Sequence, residues 1–415
     1  MGILYYPTDL SLIEGRGGSI VPYNKMNKMR QSPLYFYALI PSVLCMLPML
    51  PTAWEFYPYF KPIFKYIGFF FSVLTLLEAF HYYTSTKRLV IISLFLLTLL
   101  VGFINGSYLR LFFIFTLIVG AVNIDYKMIL KVWLILCASF CLFSVLGTLM
   151  GFIHETSVDI GDREVLFESI TDRRDFGYGW ATDFAYHVMF ILLVYWIIKD
   201  GYLKIIELTG FVLITFVVYS LTDARMAVGG MCLIIISALY CNRIKSKRIK
   251  IGKIGNFFLT ISIPFFAFIS FYMVKAFDSM SPSWMVVDLL MSKRLSISSK
   301  TIEEAGIPLL GQKFEFYGMS QTQNESGIAG FYNYIDCSYV QSLVTNGIIL
   351  TVLFILLFVF ICRASYKRQD IVLAIAVVIA GVTGMVAQYL FVISYCPLLL
   401  ALTSSHGTQS PKDSI

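Results

Sequence analysis

Apolar runs of roughly 20 residues recur along the whole of this 415-residue chain. Each is about long enough to cross a hydrocarbon core of roughly 30 Å. Little charge is available to cover such runs in water. Charged residues make up 14% of the sequence against 58% hydrophobic, where soluble domains carry about 25% charged. The predicted class is therefore all-α, a polytopic integral membrane protein. The same composition excludes disorder, coiled coil, collagen and a disulfide scaffold.

About twelve spans are expected, with eleven to thirteen as the range. They fall near 35–50, 62–80, 89–104, 109–122, 128–153, 178–198, 203–221, 226–240, 257–276, 338–362, 371–387 and 390–403. The last two are short enough to form one re-entrant unit. A mixed, polar segment, 1–33, precedes the first span and does not read as a signal peptide. A single transmembrane domain is expected over 34–403, followed by a tail, 404–415.

Lysine and arginine set the expected orientation. One set of alternating connections holds 20 of the 32 Lys and Arg, and cytoplasmic connections carry that excess. Both termini are thus expected in the cytoplasm, with long outer loops at about 154–177 and 277–337. Acidic residues favour the outer side. The net charge of +7 then reads as an insertion signal and an attraction to anionic lipid, not as a nucleic-acid footprint.

Metal and redox chemistry have little to build on. The eight cysteines include no CxxC pair, and the chain has four histidines, so no metal or cofactor is expected. No P-loop, GxGxxG or HExxH occurs. The elaboration lies in the outer loops, and long loops in compact proteins are usually functional or disordered. In the larger one, Thr301-Ile302-Glu303-Glu304 reads as a capping box opening a helix that Gly306 and Pro308 stop. Residues 285–291 suit a membrane surface, and 321–330 is polar.

The outer side also holds Arg110, Arg163, Arg173, Arg174, Arg225 and Arg294, against the orientation signal. A guanidinium presents a planar donor fork matched to phosphate and never deprotonates. A lipid diphosphate would lie at the depth of Arg110 and Arg225. Plainer readings stand beside this one. Arg163 lies between Asp162 and Glu164, as in a solvated ion pair. Arg173 and Arg174 lie between Asp172 and Asp175. Arg225 follows Asp223 and opens an apolar span, where loose charge is costly. Arg110 can snorkel to the interface.

For proton transfer, Asp183 and His187 share a helix face at i,i+4, unless they are a polar pair satisfied within the bundle. Asp336 is a base or, more simply, an N-cap. Most Tyr and Phe read as core and interface belts, while outer-loop residues such as Tyr317, Tyr332 and Tyr334 are candidates to stack on sugars.

Four stretches carry a family resemblance. They are Arg173-Arg174-Asp175-Phe176-Gly177-Tyr178-Gly179-Trp180, Leu221-Thr222-Asp223-Ala224-Arg225, Arg294-Leu295-Ser296 through Ile307-Pro308-Leu309-Leu310-Gly311-Gln312, and Tyr334-Ile335-Asp336-Cys337-Ser338-Tyr339-Val340 with Asn346-Gly347-Ile348-Ile349. Over about residues 85–405 the pattern resembles the Wzy-type polymerases of O-antigen, capsular and exopolysaccharide repeat units. Ala224 stands where that family usually has Ser. Trp180-Ala181-Thr182-Asp183 replaces a His-Pro-Asn-like segment.

The resemblance implies a glycosyltransferase of the bacterial cell membrane that uses neither nucleotide sugar nor metal. Donor and acceptor would be oligosaccharide repeat units on polyprenyl diphosphate. Flippase and chain-length regulator proteins would be partners, along with membrane lipid. It implies Arg174, Arg225 and Arg294 on the diphosphate and Asp183 or His187 as base, with Arg110, Arg173 and Asp336 binding substrate. The competing classes are a flippase for the same lipid, a polysaccharide ligase and a receptor-like membrane protein. The large loop lacks a histidine comparable to that of the ligases.

Overall fold

A helix that is apolar on every side belongs inside a bundle rather than at its edge. In the computed structural model α6 (Ala181–Ile198) is that helix, with 67% of its length buried. It packs against α5 (Tyr126–Leu149), α7 (Ile205–Thr222), α8 (Arg225–Ile244) and α13 (Ile371–Thr383). The structure describes residues 32–47, 53–54, 56–155, 173–244, 252–316 and 333–405. Arg163, Tyr317, Tyr332, the stretch 321–330, most of 1–33 and nearly all of the tail lie outside the described residues.

The described residues are helical with no strand. Among the described residues, eight helices are long and apolar enough to cross a membrane. They are α5 to α8 together with α2 (Tyr57–Phe80), α3 (Ser85–Asn105), α9 (Lys253–Lys275) and α12 (Ser338–Arg368). Three apolar helices are shorter, at 13 residues each: α1 (Pro33–Cys45), α4 (Tyr108–Gly120) and α13. Thirteen residues reach only about 20 Å, less than the core of a bilayer. In the α9–α12 connection lie α10 (Pro282–Leu290) and α11 (Arg294–Ala305).

The first eleven expected spans fall on helices. The twelfth does not. From Gly384 to Ser405 the only helical turn is the 3₁₀ segment Pro397–Ala401. The chain returns to the other end of the bundle, where Ser405 bridges to Asp125 at the start of α5. Irregular backbone survives at membrane depth only when protein satisfies its polar groups. Here Trp133 donates its indole N–H to the Ile393 carbonyl at 2.8 Å. The Cys137 thiol meets the Ser394 carbonyl at 3.6 Å. Ser338 Oγ donates to Ala387 O at 2.5 Å and accepts from Leu390 N at 3.1 Å.

The tenth expected span is not one straight helix either. α12 breaks at Gly347, where φ is 78° and ψ 175°. The Ser342 and Thr351 hydroxyls, nine residues apart, meet at 2.8 Å, whereas a straight helix would hold those residues about 13 Å apart. The arm 338–346 therefore folds back on 348–368. Phe391 packs against Tyr339 from one arm and Phe354 and Phe358 from the other.

Outer-loop backbone fills the break. Ile348 N donates to Pro308 O at 3.1 Å, Ile349 N to Leu309 O at 3.2 Å, and Gln312 N to Thr345 O at 3.1 Å. These bonds satisfy groups that a helix terminus leaves open. Asn105, the last residue of α3, adds a bond to Asn346 Oδ1 at 2.9 Å. This end of the bundle, which the Lys/Arg pattern assigns to the outside, is termed the outer end.

The expected capping box is absent because Thr301 lies inside α11, where its hydroxyl donates to Ile297 O and Asn333 O. The helix begins seven residues earlier, at Arg294. Buried Asp288 caps it, accepting from Leu295 N at 2.8 Å and Ser296 N at 3.0 Å.

Candidate functional site

Folding back the 338–346 arm aims its N-terminus into the bundle, and residues 333–337 carry the outer loop to that point. Ser338 is buried, its N–H shared between Gly384 O and Ala387 O. Asp336 therefore does not cap α12; the N-cap is Cys337, which makes no side-chain cap bond. Instead the Asp336 carboxylate accepts from Arg294 Nε at 3.0 Å, and the Arg294 side chain is only 17% exposed.

Other polar groups converge on this pair. Asp183, in the first turn of α6, accepts a hydrogen bond from Tyr389 Oη. It lies within electrostatic range of Asp336. Tyr334 donates to Gln388 Oε1, and Gln341 Nε2 donates to the same oxygen at 2.8 Å. Burial, reinforced by the nearby Asp183 and Asp336 carboxylates, pushes the Tyr334 hydroxyl above the ordinary phenol range, so it stays a donor. Arg110, on α4, lies within electrostatic range of Tyr334.

Arg110, Asp183, Arg294, Tyr334, Asp336, Gln341 and Gln388 all keep part of their surface accessible. These groups come from five separate parts of the chain and are linked pairwise into a polar cluster at the outer end. Two guanidiniums, two carboxylates and two amides belong to it. Such a set can bind an anion, hold sugar hydroxyls and accept a proton.

The remaining arginines form a second group around the α7–α8 turn. Arg173 donates from Nε to Thr222 O at 2.8 Å and from Nη2 to Asp223 O at 3.3 Å. A cation on the last carbonyls of α7 is a favourable helix-end contact. Arg174 pairs with Glu155 at 2.9 Å and lies over the Phe176 ring. Its neighbour Asp175 instead accepts from Gly177 N at 3.2 Å and Gly179 N at 3.1 Å. Arg225 is exposed, with Asp223 at 3.4 Å.

His187 is fully buried. Its Nδ1 bonds Tyr178 Oη at 2.7 Å, and Cys141 Sγ lies 3.7 Å away. The ring packs against Tyr395 and Trp133. It ties α5, the 175–180 loop and α6 together, whereas Asp183 bonds Tyr389, so the two side chains have different hydrogen-bond partners.

Gln341, Gln388 and Tyr389 join the candidate site, and the sequence reading missed them. Gln388 carried a signal, as a lone amide within an apolar stretch. Among the described residues no group of three or more His, Cys, Asp or Glu is placed to hold a metal ion. No protein-family model, curated protein or solved structure matches this chain.

Proposed function

We propose that this chain is a membrane glycosyltransferase that polymerises oligosaccharide repeat units carried on polyprenyl diphosphate. It would work on the outer leaflet of a bacterial cell membrane, with both termini in the cytoplasm and the two long loops outside. The observation that carries this reading is the Arg294–Asp336 pair, held 3.0 Å apart, with Asp183 within electrostatic range of Asp336.

In the reaction, an acceptor hydroxyl oxygen bonds to the anomeric carbon of the donor. The bond from that carbon to the diphosphate oxygen breaks, and its electron pair leaves with the diphosphate. The acceptor's proton passes to Asp183, which Tyr389 orients. Arg294, with Arg110 behind it, stabilises the charge that develops on the leaving group. Arg173 and Arg174 support the neighbouring loop, and Arg225 guides anionic substrate at the rim. Flippase and chain-length regulator proteins are the partners this role requires.

A flippase for the same lipid is the second reading. The broken α12 favours it, since transporters build sites on discontinuous helices. A strain lacking the chain separates the two. The polymerase reading expects single lipid-linked repeat units to accumulate where an impermeant oxidant reaches them in spheroplasts. Units that stay protected from the oxidant would make the chain the flippase.

A further inference from the structure

Two lysines lie inside α2 toward the outer end, against the orientation signal. Lys61 and Lys65 stand four and eight residues after the start of that helix at Tyr57. With Gly68 and Ser72 they recur at spacings of four, three and four, which sets all four on one stripe of the helix. Lower on that stripe α2 packs antiparallel to α1. A carbon added at Gly68 would stand 3.2 Å from Ser42 Oγ, and Thr75 donates to Leu34 O at 3.1 Å. The stripe outlasts its partner. α1 ends at Cys45, which lies within electrostatic range of both ammonium groups. The face that is packed at Gly68 and Ser72 thus turns cationic where α1 stops, with Lys65 half-buried and Lys61 exposed.

We propose that this outer mouth of the α1–α2 seam is a docking site for an anionic phospholipid, with Lys61 and Lys65 on its phosphate. It shares no residue with the candidate site and does not rest on the polymerase reading.

Charge complementarity is the first support. Among the described residues neither lysine makes an ion pair. Each ammonium lies over an aromatic ring instead, Lys61 at 5.5 Å from the Tyr57 centroid and Lys65 at 5.7 Å from that of Tyr66. An unpaired cation within a span is costly and calls for an anion. Two other lysines assigned to the outside already have one, since Lys300 pairs with Glu304 and Lys313 with Glu315.

Depth is the second. Side chains on a helix lean toward its N-terminus, which for α2 is the outer end. The Lys61 ammonium accordingly lies over a ring one turn nearer that end. From the second and third turns of α2, both ammonium groups reach toward the level of lipid phosphates.

The third is the shape of the ligand. Residues at i and i+4 stand about 6 Å apart, close enough for one phosphate to meet both ammonium groups as point charges. Away from the seam, α2 exposes Tyr59, Ile63, Tyr66 and Phe70, an apolar surface for acyl chains that a soluble anion would not use. A zwitterionic head group carries its own ammonium beside the phosphate and brings no net charge to the lysines. Snorkelling to water alone would leave them indifferent to which lipid is present.

The test titrates full-length protein in detergent with phosphatidylglycerol or phosphatidylcholine of the same acyl chains and counts bound lipid by native mass spectrometry. Wild type is expected to hold phosphatidylglycerol roughly tenfold more tightly. Lys61→Gln/Lys65→Gln is expected to lose that preference and to leave phosphatidylcholine binding unchanged. Lys61→Arg/Lys65→Arg, which keeps the charge, is expected to retain it. Lys300→Gln/Lys313→Gln, which removes the same charge elsewhere, is expected to change neither lipid.

Equal affinity of wild type for the two lipids, or an unchanged preference in Lys61→Gln/Lys65→Gln, would overturn the proposal. A matching loss in Lys300→Gln/Lys313→Gln would also overturn it, because total charge rather than this seam would then select the lipid. So would a Lys61→Gln/Lys65→Gln protein that melts far below wild type in both lipids, since the lysines would then pair with a carboxylate of the chain itself. Displacement of phosphatidylglycerol by an equal concentration of undecaprenyl diphosphate would assign the seam to that lipid and overturn the phospholipid site.

Discussion

Arg294→Ala is expected to abolish polymer formation, and Arg294→Lys to lose most of it. Arg294 is the first residue of α11, and the Asp288 cap fixes where that helix begins. Its side chain is 17% exposed and aligned by Asp336 at 3.0 Å. A preorganised donor in a site poor in water is worth roughly 3–4 kcal/mol of transition-state stabilisation, or about 10²–10³-fold in rate. An ammonium cannot reproduce two parallel bonds to a diphosphate. Removing the guanidinium also strands a partly buried carboxylate, so Arg294→Ala/Asp336→Asn is the companion variant that restores charge balance without restoring the donor. Polymer length on gels, with membrane levels matched, reads the effect. The sequence places Arg225 first among the arginines. The proposed function reverses that order, because Arg225 is 51% exposed and its Asp223 partner lies at 3.4 Å. Arg225→Ala is expected to shorten chains by less. A full-length polymer from Arg294→Ala would remove this residue from the reaction.

Gly347→Ala is expected to unfold the outer end. Its φ of 78° with ψ of 175° belongs to a region that only glycine occupies readily. A Cβ there would stand 2.3 Å from Gly311 N and 2.6 Å from Leu309 O. Both atoms are backbone and cannot swing aside. Strain alone costs about 1–3 kcal/mol. Displacing the 308–312 segment would also open the hydrogen bonds that close the break in α12. The candidate site goes with it, since Gln341 lies on the arm that folds back and Asp336 just before it. Gly210→Ala and Gly229→Ala are the controls. Each lies within a helix with nothing within 4 Å of the added carbon, and each is expected to be neutral or to stabilise by about 0.5–1 kcal/mol. Thermal melting in detergent distinguishes them. A Gly347→Ala protein that melts like the two controls would show that the break does not depend on glycine.

The long helices were legible because hydropathy at the scale of a bilayer is a one-dimensional signal. α5 and α9 follow from it almost directly. The return segment was not legible in the same way. Residues 390–403 are as apolar as a helix, and their conformation depends on partners such as Trp133 and Ser338, distant in sequence. The fold at Gly347 follows the same logic, because its open backbone groups are closed by residues 308–312. The site was half legible. Arginine on the outer side marked the chemistry, but sequence distance could not sort Arg294 from Arg173. One pairs with Asp336 and the other holds helix-end carbonyls. Asp336 precedes a helix and so resembles a cap; only the position of α11 reveals its partner.

The most direct test of the account is turnover by the purified chain in liposomes supplied with lipid-linked repeat units as the sole substrate. The reaction is run in chelator and without any nucleotide sugar. The account predicts a ladder of products longer by whole repeat units, with undecaprenyl diphosphate released once per added unit. Substrate that stays at one repeat unit while wild-type protein is folded and lipid-bound, or a ladder that appears only when nucleotide sugar is added, would contradict it.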